Sequence, residues 1–124
     1  MKLNSRTYAD AVLVALSGRL DHENSDRFRD GLKPHLDAAV ASGAGIVLDF
    51  SDVEYISSAG LRALMLSANQ AKAQKTRVVI ASLQPVVAEI FEISRFNMVF
   101  NIFGSVREAL AEISPAAAAA FDRG

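Results

Sequence analysis

Two adjacent serines, Ser57 and Ser58, stand where an apolar segment passes into a helical pattern that opens with Ala59-Gly60-Leu61. The first backbone N–H groups of a helix lack intrahelical partners and carry the positive end of the helix dipole. A phosphate on a serine there is stabilised by roughly 0.3–1 kcal/mol. A kinase can therefore modify this corner without unfolding the chain.

The same residues also have a purely structural interpretation. Serine is a preferred N-cap, so Ser57 or Ser58 can simply cap the helix, and Gly60 can simply allow close packing of helix on strand. Capping is the commoner role, because helices generally need caps while phosphorylation sites are rare. Local chemistry alone leaves both interpretations open.

Composition narrows the class of protein. At 124 residues the chain fits one domain, and the absence of cysteine rules out disulfides, thiolate metal sites and a cysteine nucleophile. Thirteen basic and fourteen acidic residues give a net charge of −1, and without a basic cluster nucleic acid is not expected as a partner. The chain shows neither a signal peptide nor the roughly 18 apolar residues of a membrane span. We expect a soluble, cytoplasmic protein without membrane insertion.

Enzyme motifs are missing around the candidate serines. His22 and His35 are not accompanied by a G-x-S-x-G elbow, and the chain has no P-loop and no G-x-G-x-x-G. Scattered carboxylates do not suggest a metal site, and the acidic pair of a two-component receiver is absent. We therefore predict a binding module with no catalytic residues, metal or cofactor.

Apolar runs predict five strands. An opening pair covers residues 1–8 and 11–17, and later strands cover residues 46–50, 77–82 and 99–102. Near-continuous apolar character is typical of strands buried on both faces.

Helical spacing predicts four helices. The first ends at Gly43, and because Pro34 inside it cannot donate a backbone hydrogen bond, we expect a kink or two consecutive short helices. The second begins near Ser58, the third at Pro85, and the fourth follows a capping box over residues 105–108. One apolar stripe is predicted for each, formed by Phe28, Leu32, Leu36 and Val40; Leu61, Leu64, Met65 and Ala68; Val87, Ile90, Phe91 and Ser94; and Val106, Ala109, Leu110 and Ile113.

The order ββαβαβαβα predicts an α/β domain over residues 1–114 with an open, mostly parallel β-sheet. Residues 115–124 are Ala-rich and low in complexity, and we expect a frayed tail, which Phe121 can dock onto the domain. Ligands of such folds bind at the carboxyl ends of strands, so the loops predicted at residues 18–25 and 51–58 can form one surface. The stripes are expected to converge in one core, represented by Phe28, Leu48, Leu61, Leu64, Val79, Ile90 and Leu110.

Several motifs in order resemble the STAS domain family, which contains bacterial anti-sigma factor antagonists and cytoplasmic domains of sulphate transporters. Gly18-Arg19-Leu20-Asp21 resembles the family's G-E-L-D, and residues 49–51 with 55–61 resemble D-L-S followed by the I-D-S-S-G-L phosphorylation site. Residues 91–96 and 106–110 add two further matches. The resemblance covers about residues 8–113 and implies a single STAS-like domain.

The resemblance implies that Ser58, two positions before Gly60, accepts the phosphate. Ser57 stands at the family's aspartate position and offers an alternative hydroxyl, while Ala59 replaces a second hydroxyl and Arg19 replaces a glutamate. The implied mechanism is partner switching. The unphosphorylated antagonist binds an anti-sigma factor serine kinase of the GHKL type and frees a sigma factor; the kinase then phosphorylates it, and a PP2C-type phosphatase resets it.

A phosphate brings a charge of about −1.5 to −2 into a contact surface, where an unmatched charge is costly to bury. Asp21 and Asp49 would add like charge if they flank Ser58. The predicted partner-binding surface consists of Asp21, Asp49, Ser57, Ser58, Ala59, Gly60 and Arg62. The alternative function is a STAS accessory subunit that docks on a transporter or other ATPase, with Ser58 structural.

Overall fold

Five strands form one sheet in the order β1-β2-β3-β4-β5 in a computed structural model that describes residues 1–124. The elements are β1 (Lys2–Tyr8), β2 (Ala11–Leu20), α1 (Ser25–Ser42), β3 (Gly45–Ile56), α2 (Ser58–Ala73), β4 (Val78–Ala81), α3 (Pro85–Ile93), β5 (Ile102–Phe103), α4 (Val106–Ile113) and α5 (Pro115–Asp122), with a short 3₁₀ helix at Phe96–Met98. Strand β1 pairs antiparallel with β2 across a two-residue turn, and the remaining pairs are parallel. The predicted α/β class and element order are confirmed, with α5 added at the end.

Strands β2 and β3 run further than the sequence predicts. Strand β4 pairs only with Ile46–Asp49 of β3, whereas β2 stays paired with β3 as far as Leu20 and Ile56. Two register shifts accommodate this added length, which we call the β2–β3 extension (residues 17–20 and 52–56). The predicted loop at residues 51–58 is therefore wrong over residues 51–56: polar residues end the apolar run, but pairing with β2 continues the strand, and only Ser57 separates it from α2. The predicted loop at residues 18–25 likewise begins within strand, since β2 runs to Leu20.

The sheet separates two hydrophobic cores, so the expectation of a single core is wrong. Successive strand residues face opposite sides, and Val47 and Leu48 accordingly belong to different clusters. Helices α1, α2 and α3 cover one face, whose core holds Phe28, Leu48, Leu61 and Leu64 with Ile90 packed against it. Helices α4 and α5 cover the other face, whose core holds Val79 and Leu110.

Helix α1 is continuous through Pro34, which excludes two consecutive short helices. A proline inside a helix removes one backbone hydrogen bond, and this one lies on the exposed side of α1. Phe28, Leu32, Leu36 and Ala39 on the opposite side are fully or almost fully buried. Burial of that stripe compensates for the lost hydrogen bond.

The last strand is displaced along the chain from its predicted position. Residues 99–101 precede β5, and only Ile102 of the predicted strand belongs to it. The turn at Phe96–Met98 brings Phe100 into the first core, where its ring lies 6.2 Å from that of Phe91. Phe100 is thus a core anchor outside the sheet.

Residues 115–122 form a helix, so the predicted frayed tail is wrong. Ser114 caps it by accepting a hydrogen bond from Ala117 N at 3.0 Å, and Pro115 occupies its first turn. Phe121 packs edge-on against Tyr8, with ring centroids 5.4 Å apart. Burial of Ala117 against the sheet and this aromatic contact stabilise a helix that five alanines would not form alone.

An exposed ion pair joins the last two helices. Arg107 Nε and Nη2 of α4 donate to the Asp122 carboxylate of α5 at 2.9 Å. The hydrogen bond from Arg107 lowers the pKa of Asp122, and the same bond raises the pKa of Arg107. The pair connects α4 to the carboxyl end of α5 at the surface.

Candidate functional site

Ser57 and Ser58 have different roles at the start of α2. Ser57 has extended backbone geometry and is the N-cap, because its Oγ accepts a hydrogen bond from Gly60 N at 3.1 Å. Ser58 is the first helical residue, is exposed, and makes no side-chain hydrogen bond. The structure therefore assigns the cap to Ser57 and leaves the Ser58 hydroxyl free.

Gly60 holds the first turn of α2 against the end of β2. A Cβ at Gly60 would lie 2.1 Å from the carbonyl oxygen of Leu20 and 3.0 Å from a side-chain carbon of Ile56. The same carbonyl oxygen accepts a hydrogen bond from Ser57 N at 3.0 Å. Glycine is thus required for close approach of helix to strand, the role that the structural interpretation of the sequence gives to Gly60.

Asp21 lies at the same edge of the sheet as Ser58, directly after Leu20. Its carboxylate accepts a hydrogen bond from Asn24 N at 3.2 Å, and its other oxygen lies 3.5 Å from Arg19 Nε. The Arg19 guanidinium also stacks 4.6 Å from the centre of the Tyr55 ring. Arg19 therefore partly neutralises Asp21 and covers the tip of the β2–β3 extension.

Asp49 does not flank Ser58, so that expectation is wrong. It lies within β3 opposite Ala15 and Ala81, seven residues before Ile56, or roughly 20 Å along the strand at about 3.3 Å per residue. Its carboxylate accepts a hydrogen bond from Ser51 N at 3.0 Å. Asp49 would reach Ser58 only if residues 51–55 turned back as a loop, whereas they continue the strand.

A shallow, largely apolar groove borders Ser58 and extends from α2 to the end of α3. We call it the α2–α3 groove; its lining is Ser58, Leu61, Arg62, Met65, Leu66, Ser94 and Phe96. Large apolar side chains are also exposed on α2, α3 and the 3₁₀ helix, namely Leu66 at 44%, Ile93 at 76% and Met98 at 81%. Sequence reasoning missed this groove, although Leu66 carries a signal because it is an apolar residue outside the predicted stripe of α2.

Arg62 lies on the exposed surface of α2, one turn after Ser58. It also borders a second groove between α1 and α2, together with His22, Asp26, Arg29 and Ala59. All but one of the residues predicted for the partner-binding surface therefore lie on or beside the first turns of α2, namely Asp21, Ser57, Ser58, Ala59, Gly60 and Arg62. Asp49 is the exception.

Neither a metal centre nor a membrane span is found in the structure. No three His, Asp or Glu side chains come together in a way that could hold a metal ion. No helix combines the length and apolar character required to cross a bilayer.

The fold and site define a small α/β domain in which a paired strand extension carries a glycine-anchored helix with an exposed serine in its first turn. The family model described as STAS domain matches residues 2–109. The chain therefore belongs to the STAS domain family, and the resemblance found in its motifs is confirmed.

Known relatives support this assignment. A Bordetella bronchiseptica protein named "Putative anti-sigma factor antagonist BtrV" is 37% identical over 112 residues, covering 90% of this chain and 92% of that protein. A Thermotoga maritima structure described as a "putative anti-sigma factor antagonist" superposes with a TM-score of 0.80 at 20% identity, covering 90% and 93% of the two chains. Unphosphorylated SpoIIAA, an anti-sigma factor antagonist, superposes with a TM-score of 0.69 at 19% identity, covering 90% and 96%. The two structures establish similarity of fold.

Proposed function

We propose that this protein is an anti-sigma factor antagonist that acts in the cytoplasm as a phosphorylation-gated binding module. Unphosphorylated, it sequesters an anti-sigma serine kinase of the GHKL type; phosphorylation of Ser58 releases the kinase, and a PP2C-type phosphatase restores the binding state. One observation carries the proposal: Ser57 is occupied as the helix cap, while the neighbouring Ser58 hydroxyl is exposed and free.

The relatives are consistent with this proposal at the level of the family. The B. bronchiseptica relative carries the name of an anti-sigma factor antagonist. SpoIIAA has been solved in both an unphosphorylated and a phosphorylated form. In this chain the capped Ser57, the exposed Ser58 and the motif around them support phosphorylation at Ser58.

The chemistry requires the partner to supply the catalytic groups. The Ser58 oxygen attacks the γ-phosphorus of ATP, the bond to the ADP oxygen breaks, and the serine proton passes to a base of the kinase. Phosphoserine then carries a charge of about −1.5 to −2. Its burial in a protein contact is unfavourable unless the partner supplies a matching cation.

Phosphorylation of Ser58 is tested with a GHKL-type kinase from the same genome, chosen by gene proximity, and ATP. Mass spectrometry should locate one phosphate on Ser58, and the Ser57→Ala variant should still accept it. Ser58→Ala should remain folded, accept no phosphate and bind the kinase permanently, because loss of one exposed hydroxyl leaves the contact surface intact. Phosphate on Ser57, or undiminished kinase binding by the Ser58-phosphorylated protein, would contradict the proposal. The second result would favour the accessory subunit of a transporter or other ATPase.

Asp21 provides a test of the binding surface. Asp21→Lys reverses a charge beside Ser58 and should weaken kinase binding, because electrostatic complementarity governs association. The matched control is Asp37→Lys, which makes the same charge change on α1, where Asp37 pairs with Lys33 on an exposed surface. Equal kinase affinities of the two variants, measured by calorimetry on folded protein, would remove Asp21 from the site.

A further inference from the structure

Arg62 is a cation without a partner beside the candidate phosphorylation site. It lies four residues after Ser58 on α2, and side chains at i and i+4 are neighbours on one helix face. It makes no ion pair and no side-chain hydrogen bond, and it lines the α2–α3 groove together with Ser58. Its guanidinium donors are therefore free at the rim of the groove.

We propose that Arg62 is the intramolecular partner of the phosphate on Ser58, an inference that rests on the proposed function. The planar guanidinium can donate two parallel hydrogen bonds to phosphate oxygens, a geometry that a lysine ammonium cannot reproduce. In the unphosphorylated protein the exposed Arg62 has no partner and can bind an acidic group of the kinase. Phosphorylation then changes the surface twice, because it adds an anion and occupies Arg62.

The other charged groups around Ser58 are less well placed for this role. Arg29, His22 and Asp26 line the groove between α1 and α2, which Arg62 also borders but Ser58 does not. Arg19 is stacked on an aromatic ring and paired with Asp21. Arg62 is thus the cation that shares a groove with the Ser58 hydroxyl.

The test uses the full chain with phosphoserine installed at position 58 by genetic encoding, so the kinase is not needed. The second pKa of phosphoserine, about 6 in water, is measured by ³¹P NMR titration. Arg62→Gln should raise this pKa by about 0.3 units, the effect expected of an exposed ion pair one helical turn apart. Arg62→Lys should recover part of the shift, because it restores charge without the planar fork. The matched control Arg29→Gln, which removes a positive charge from the other groove, should change the pKa by less than about 0.1 units.

The outcomes separate this inference from the proposed function. Equal phosphate pKa values in the wild type and Arg62→Gln, or a larger shift in Arg29→Gln, overturn the role of Arg62. Kinase binding is measured separately on the phosphorylated and unphosphorylated wild type. If phosphorylation of the wild type abolishes kinase binding but Arg62→Gln leaves the phosphate pKa unchanged, only the inference about Arg62 is refuted. If Arg62→Gln raises the phosphate pKa but phosphorylation of the wild type leaves kinase binding unchanged, the proposed function is refuted and the phosphate–Arg62 pair is retained.

Discussion

Replacing Gly60 by alanine should destabilise the protein, although alanine favours helix more than glycine. The added Cβ would lie 2.1 Å from Leu20 O and 2.9 Å from its carbonyl carbon, distances that real Cβ atoms do not show. Both atoms belong to the backbone of β2, so a rotamer change cannot relieve the contact. The first turn of α2 must move away from the strand, which strains the Ser57 N to Leu20 O hydrogen bond of 3.0 Å.

The expected loss follows from three opposing contributions. Overpacking costs about 1–3 kcal/mol, and weakening the hydrogen bond costs up to about 1 kcal/mol. The higher helix propensity of alanine offsets about 1 kcal/mol. With each contribution taken at the middle of its range, Gly60→Ala should lower the free energy of unfolding by about 1.5 kcal/mol. Under the proposed function, kinase binding should fall as well, because the whole first turn of α2 is displaced.

Urea denaturation followed by circular dichroism measures this loss as a lower midpoint at unchanged slope. Gly31→Ala is the matched control, since Gly31 is also helical and a Cβ there would meet only side-chain atoms of Leu3, the nearest at 3.3 Å, and no backbone. The free energy of unfolding of the control should lie within about 0.5 kcal/mol of the wild-type value or exceed it. A Gly60→Ala midpoint equal to that of the wild type would show that Leu20 does not hold α2 in place.

Further predictions concern the two cores and the carboxyl-terminal helix. Leu64→Ala and Leu110→Ala should each cost about 2–5 kcal/mol, and because the two side chains pack on opposite faces of the sheet, their effects should add within about 0.5 kcal/mol; strong coupling in the double variant would contradict separate cores. Arg107→Gln should raise the pKa of Asp122 toward its ordinary value, measured by carboxyl NMR titration. Since the folded-state pKa of Asp122 is lowered, the stability from this pair is present above its unfolded pKa and lost as pH falls through the folded one. The difference in stability between the wild type and Arg107→Gln should accordingly disappear at acidic pH. A difference that persists there would contradict the assignment of the lowered Asp122 pKa to Arg107.

Local signals in the sequence predict the elements whose boundaries depend on local chemistry. The cap at Ser57, the start of α3 at Pro85 and the serine half of the capping box at Ser105 are all present, with Ser105 Oγ accepting from Glu108 N at 3.1 Å. Each depends on groups within one helical turn. Hydrophobic periodicity likewise places Leu61 and Leu64 on the buried side of α2.

Features that depend on distant partners could not be predicted in the same way. The last residues of β3 are a strand because β2 pairs with them, and Val79 faces a different core from Ile80 because helices cover both sides of the sheet. Helix α5 forms because Tyr8, at the other end of the chain, packs on Phe121. These contacts join residues far apart in sequence, where periodicity carries no information.

Within the candidate site, too, locally determined features could be predicted and features that depend on distant contacts could not. Ser57, Ser58 and Gly60 lie within one turn, and their motif predicted the helix start, whereas the structure was needed to show that Ser57 is the cap and Ser58 is free. Asp49 was misplaced because its position depended on a loop that is in fact strand. Phe96 was missed because it reaches the α2–α3 groove from beyond α3, a juxtaposition that only the folded chain creates.

The close contact between Gly60 and the end of β2 makes the proposed docking surface rigid before any partner binds. A helix start held by a backbone contact and two hydrogen bonds has little freedom left to lose, so docking on this surface incurs a small ordering penalty on this side of the complex. Rigid surfaces of this kind also change shape little between free and bound forms. In the proposed partner switching, exchange would then be limited by partner dissociation and by the turnover of the kinase and phosphatase, with no refolding step.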